Sequence, residues 1–470
     1  MKPTRRTFLT GASALSAASF AGLSSSLSAF QASAAETTGY KAIVCLFFLG
    51  GIDGHDTLLP YDQASYDQYA TIRAPLLSLY DNMTGGSTRA RDRLLPLNPI
   101  NAADFGGREF ALPEELSGIK GLFDSGDAAI VGNVGPLLQP ITKQQFENDS
   151  APQPKRLFSH NDQQSTWMSS APEGAQFGWG GRFADAALAS GANAGSKDFS
   201  TITSLGNELF LTGSEALPYQ IGLDGAPEID ALNFFASGDT NDPNSIYSKL
   251  RAHFEAMDFN SENLIDRDIA TAMRSALTTN ETFNAAYASI QPFATAFPGS
   301  FAGQQLQAIA NTIAIRDALL VNRQVFFAAI GGFDTHSNQA NDLPGLQREI
   351  DGAVVAFYQA MQEIGLGSDV TLFTASDFGR TLAINGDGTD HGWGNHHFVI
   401  GNAVQGTRIY GDVPPYTLGH DQDAGSGRLI PTMSVEQFAE PLGRWFGLND
   451  SEISAALPNL GNFATGPAYV

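Results

Sequence analysis

The chain has 470 residues, with 26 lysines and arginines against 49 aspartates and glutamates, a formal charge of −23, and one cysteine, Cys45. Such a charge argues against nucleic acid or an anionic membrane surface as partner, and a lone thiol excludes an intramolecular disulfide framework. The length exceeds the usual single core, so one large α/β core with an insertion, or two domains, is expected.

In chain order, the first element is Thr4-Arg5-Arg6-Thr7-Phe8-Leu9, followed by a weakly apolar Ala/Ser/Leu stretch to about residue 30 and the small residues Ala32-Ser33-Ala34. This is the layout of a cleavable twin-arginine export signal, residues 1–34, with the translocase as a transient partner and the periplasm or the outside of the cell as destination. No later stretch reaches the ~20 apolar residues of a spanning helix, so no stable membrane span is expected. The mature chain, 35–470, then opens with an apolar run, Ala42–Leu49, in which Cys45 reads as a buried structural thiol.

Further short apolar runs follow at Ala128–Val131, Val325–Ile330 and Val370–Thr374, with weaker ones at Phe398–Ile400 and Thr407–Tyr410. They read as buried strands. Between them, helical periodicity marks Pro113–Phe123, Gln304–Arg323, Leu343–Ile364 and Ser434–Phe446, the last opening on a Ser434/Gln437 capping box. The alternation predicts a doubly wound, mostly parallel sheet with helices on both faces. Residues 195–300, poor in strand-like runs, read as an inserted, mainly helical cap.

In an open α/β sheet, ligands sit where parallel strands end. Behind the first run lies Gly50-Gly51-Ile52-Asp53-Gly54-His55-Asp56, and behind the third Gly331-Gly332-Phe333-Asp334-Thr335-His336. Behind the fourth come Ser376-Asp377-Phe378-Gly379-Arg380-Thr381 and then Asp390-His391-Gly392-Trp393-Gly394-Asn395-His396-His397. Carboxylate oxygen with imidazole nitrogen is a donor mixture that zinc or manganese prefers, so one or two divalent ions on a shared rim are expected. Ser159, at a predicted helix start after Arg156, is a candidate nucleophile; Arg380 and His160 are candidates for gripping a substrate anion. Each residue alone also has a plain structural reading: Asp53 as a turn residue, Asp334 as a loop cap, Ser159 as a helix cap, Arg380 in a salt bridge, His397 in the core.

Together, the twin-arginine leader, Gly-Gly-Ile-Asp-Gly-His-Asp-Thr, Ser159-His160, Phe333-Asp334-Thr335-His336-Ser337-Asn338-Gln339, Asp377-Phe378-Gly379-Arg380-Thr381 and Asp390-His391 resemble the exported bacterial family called domain of unknown function 1501. The resemblance runs along the mature chain. It implies the alkaline phosphatase and sulfatase superfamily: an α/β/α sandwich, two divalent metals (zinc or manganese, or calcium or magnesium), and hydrolysis of a small anionic phosphate or sulfate ester, with serine or metal-bound water as nucleophile. It also implies roles for single residues. Asp53, Asp377 and His391 would bind one metal, and Asp334, His336 and His396 another. Phe378 stands where the superfamily has a histidine, which motivates the alternative of a non-catalytic exported binding or assembly protein, working with an exported protein partner.

Overall fold

The apolar run Lys41–Phe48 has no polar face because it is buried on both sides, in the middle of a sheet. The computed structural model describes residues 36–470 apart from 83–86, 207, 224, 227–229, 236–241 and 256–261. The predicted leader, 1–34, lies outside the described residues. Among the described residues, nine strands form the central sheet: β1 (Lys41–Phe48), β2 (Ala128–Gly135), β3 (Thr201–Thr203), β4 (Tyr219–Gln220), β5 (Arg323–Ile330), β6 (Val370–Ser376), β7 (Asn395–Ile400), β8 (Ile409–Gly411) and β9 (Met433–Ser434). Their order is β8-β2-β7-β6-β1-β5-β3-β4, with β9 beside the end of β2. All pairings are parallel except those of β7, which runs against both β2 and β6.

Successive residues of β1 enter different cores. Ala42, Val44, Leu46 and Phe48 join a cluster with Ile119 and Phe123 of α1 (Ser117–Ser125), Leu306 and Ile309 of one long helix and Ile350 and Phe357 of another. Ile43, Cys45 and Phe47 face the opposite cluster, with Trp167, Phe183, Phe438 and Leu442. The helices on that side are α2 (His160–Ser169), α3 (Trp179–Ala189) and α6 (Val435–Phe446); α4 (Phe301–Ala314) and α5 (Gln339–Glu363) lie on the first side. Each fully buried Leu or Phe contributes roughly 1.5–3 kcal/mol of transfer free energy, so the two layers of helices are held by the same sheet from both sides. The capping box at the start of α6 is present, Ser434 and Gln437 bonding each other's backbone amides. Cys45 is buried and free, and burial pushes its thiol pKa up.

Residues 195–300 begin differently from the helical cap expected of them: β3 and β4 extend the central sheet, β3 pairing with β5. The helical part starts later, at Asp230–Phe235, Ile246–Glu255 and Leu264–Tyr287. Among the described residues no helix is long and apolar enough to cross a membrane.

Candidate metal centre

β6, β1 and β5 are neighbours and parallel, so the loops that follow them leave the sheet side by side. Two glycines let these loops meet. Gly50 (φ +112°) and Gly51 (φ +83°) adopt left-handed backbone, and a Cβ on Gly50 would stand 2.4 Å from the Asp334 amide nitrogen, one on Gly51 2.5 Å from the Phe378 ring. In return, the Gly50 N–H donates to Asp377 Oδ2 (3.2 Å) and its carbonyl accepts from Arg380 Nη1 (3.0 Å).

The Asp334 carboxylate is the hub. Oδ1 accepts from Arg380 Nη1 at 3.1 Å and stands 3.1 Å from His391 Nε2 and 3.2 Å from His336 Nε2; Oδ2 lies 3.5 Å from His160 Nε2. The ligand atoms of His160, Asp334 and His391 all lie within 4.8 Å of one another, a group of metal-holding size. Burial opposes charge on Asp334, but the hydrogen bond and charge of Arg380, with His336 and His160, hold its pKa below the usual carboxylate value. Asp334 and His336 remain nearly half exposed, at 46 % and 43 % of their side chains, so the centre opens to solvent.

Each imidazole is oriented from behind. His160 Nδ1 contacts Asp377 Oδ2 (2.6 Å), His391 Nδ1 the carbonyl of Phe158 (2.8 Å) and His336 Nδ1 the carboxylate of Asp390 (3.3 Å). A carbonyl or ionised carboxylate cannot donate, so each Nδ1 carries the proton and Nε2 is the nitrogen turned towards Asp334. Burial lowers the His391 pKa and favours its neutral ring, whereas the hydrogen bond to Asp377 raises the His160 pKa. His336 Nε2 and His391 Nε2 are only 2.8 Å apart, so two facing lone pairs there require a positive charge, a proton or a metal ion. With Asp334 Oδ1 these two nitrogens make a triangle of 2.8, 3.1 and 3.2 Å edges, close to the ~3 Å spacing of ligands that sit ~2.1 Å from one ion. His160 Nε2 is buried and makes no hydrogen bond, so one further donor is unspent. The donor set therefore fits a divalent ion of the zinc or manganese type.

The other expected ligands take different places. Asp53 is buried in a bidentate ion pair with Arg73 (2.6 and 3.1 Å), and its oxygens also accept from Gln339 Nε2 (2.7 Å) and the His55 amide (3.0 Å). Four donors saturate it, so it ligates no metal in this arrangement. Asp377 stands behind His160 and also accepts from Gln164 Nε2 (3.0 Å), which makes it a support for the His160 ring. His396 points elsewhere: its Nδ1 accepts the Asn133 amide (3.1 Å), and burial lowers its pKa to about 3. His160, expected to grip substrate, lies within the donor group. Arg380 is fully buried and spends its donors on Asp334, Thr389 and the carbonyls of Gly50 and Thr389, so it holds Asp334 and leaves little for a substrate. Ser159 occupies the N-cap position of α2, but its hydroxyl donates to Asp162 Oδ2 (3.0 Å). His397 is a core histidine, edge-on to Trp167 at 5.1 Å.

Sequence reasoning quoted Asp390 and Gln339 within motifs but gave no role to Asp390, which backs His336, or to the Gln339–Thr389 pair, which links the interior to Arg380. Phe378 fills the place of the expected histidine by packing on the rings of His160 and His391, 4.8 and 4.6 Å between centroids.

Residues 238–457 match the family described as "Protein of unknown function (DUF1501)". The matched stretch holds Asp334, His336, Asp377, Arg380 and His391 and stops short of Asp53, Ser159 and His160, so it is narrower than the resemblance read from the sequence. No curated protein matches the chain. Among solved structures, the chain is similar to Ps i-CgsB in complex with k-i-k-neocarrahexaose, at 8% identity and a TM-score of 0.35, over 88% of this chain and 74% of that one. It is similar also to the PsFucS1 sulfatase from Pseudoalteromonas sp., at 9% identity and a TM-score of 0.34, over 88% and 68%.

Proposed function

We propose that this protein is an exported metal-dependent hydrolase of phosphate or sulfate esters, built on an alkaline phosphatase-like α/β/α sandwich with a helical cap after β4. One observation carries the reading: three imidazole Nε2 atoms converge on one carboxylate, each ring fixed from behind by an oxygen acceptor. Asp334, His160, His336 and His391 would hold the ion. A divalent ion in such a place supplies Lewis acidity to an ester oxygen and makes a nearby water more acidic. The protein's own part is to fix the donors, to keep one side open to substrate, and to bring the N-terminal end of α2, with its partial positive charge, beside a bound oxyanion. Because the Ser159 hydroxyl is turned to Asp162, water is the nucleophile in this reading.

The test is direct. Purified protein is assayed on aryl phosphate and aryl sulfate esters, with metal content measured alongside. Wild type should carry the ion and hydrolyse one ester class; Asp334→Ala should lose both, and Ser159→Ala should keep both. A wild-type chain that takes up no divalent ion defeats the reading, whereas abolition of activity in Ser159→Ala with the ion retained would make the serine the nucleophile.

A further inference from the structure

Two more carboxylates, Asp53 and Asp377, follow the strands that flank the centre, and in a chain with an excess of acid they are the obvious recruits for a second ion. Their surroundings say otherwise. The two Asp53 oxygens take four donors, two of them from the guanidinium of Arg73, and both side chains are fully buried. Arg73 is itself anchored, donating from Nε to the carbonyl of Leu382 (3.1 Å) and from Nη2 to that of Thr381 (2.8 Å). An ion at Asp53 would have to displace a buried cation already paired in fork geometry, leaving that guanidinium without its counter-charge. On Asp377, Oδ2 takes three donors, from His160, Gln164 and the Gly50 amide. Oδ1 is buried without a partner, but Phe378, next in the chain, offers no ligand and packs on the His160 ring. Among the described residues, one group brings three ligand atoms of His, Cys, Asp or Glu within metal-holding distance, and it contains neither aspartate.

The geometry points to a mononuclear centre, in which Arg73 is a built-in cation that keeps Asp53 out of metal binding and Asp377 is a positioning residue that aims His160 at the one ion. The inference rests on the metal-centre reading above and adds the count and the division of labour. It also assigns Arg73 a route to the ion. Asp53 Oδ2 accepts from Gln339 Nε2 (2.7 Å), Gln339 Oε1 accepts from Thr389 Oγ1 (2.7 Å), Thr389 Oγ1 accepts from Arg380 Nε (2.8 Å), and Arg380 Nη1 reaches Asp334 (3.1 Å). A buried line of polar contacts thus runs from the interior ion pair to the hub carboxylate.

The experiment is a metal count. The purified chain is loaded with excess zinc or manganese, desalted, and measured by elemental analysis and native mass spectrometry, with affinities from competition against a chelator. Expected are one ion per chain in wild type and in Asp53→Asn, one in Asp377→Asn at roughly 10–100-fold weaker affinity, and none in Asp334→Ala. Two ions in wild type, falling to one in Asp53→Asn or Asp377→Asn, overturn the inference while leaving the metal-centre reading in place. No ion in wild type overturns both. Should Asp53→Asn fail to fold, the wild-type count decides alone.

Discussion

Asp53 shows how one local fact changes the reading of a residue. From the sequence it is an acid after a strand, among glycines, where a ligand belongs; in the fold its charge is spent on Arg73, twenty positions further along the chain, and nothing in the spacing announces that pairing. Removing one partner of a fully buried pair leaves the other uncompensated and costs about 3–5 kcal/mol. Arg73→Ala should therefore lower the urea midpoint sharply, and unchanged stability would mean that the pair is solvated. The histidines make a second prediction. Burial lowers the pKa values of His55, His396 and His397 to about 3, against about 6.5 in the unfolded chain. A depressed histidine pKa means that the folded state refuses protons that the unfolded state accepts. The associated stability is complete above pH ~6.5 and is lost as pH falls, by up to ~1.4 kcal/mol per pH unit for each of the three. Denaturant titrations at pH 7 and pH 5 should show the drop, and His396→Gln should flatten it by about one group's share.

At the scale of elements, the loops after β1, β5 and β6 do the assembling, and they can do so because glycine stands where they cross. Gly51→Ala would force left-handed backbone on an alanine and drive its methyl into the Phe378 ring, which packs on His160 and His391. An overpacked site of this kind costs about 1–3 kcal/mol, and the variant should bind zinc more weakly in chelator competition; wild-type affinity would show that the Phe378 wall does not support the ligands. Strong, uninterrupted apolar runs made β1, β2, β5 and β6 legible in the sequence, and the capping box made α6 legible. The short strands β3 and β4 were not, because three and two residues carry no period and the pairing of β3 with β5, on which β4 then adds, is a long-range choice. Helices Gln63–Ile72 and Ala74–Asn82 were missed for a related reason: they are short and bury only Tyr69, and Leu76 and Tyr80, which gives little pattern to read. At the site, strand-end position put Asp334, His336 and His391 on one rim, although in two ligand sets, and in the structure their side chains meet. It could not separate a ligand from its support, since Asp377 and His160 differ in role only through which ring nitrogen faces which oxygen.

Over the whole molecule, the deficit of cations gives the centre its character. With 49 acids against 26 lysines and arginines, the fold buries arginines against chosen aspartates and gathers imidazoles around one more, the group proposed to hold a divalent ion. Binding to the folded chain alone stabilises it by mass action, about 2.7 kcal/mol at a hundredfold excess over Kd. Chelation should then lower the melting temperature of wild type and leave that of Asp334→Ala where it is. The most direct measurement is an anomalous difference map from crystals of the metal-loaded protein, collected at the absorption edge of the ion. The account predicts a single strong peak bonded to Asp334 and to imidazole Nε2 atoms of His160, His336 and His391; a map with no peak there, or with its peak on Asp53, would contradict it.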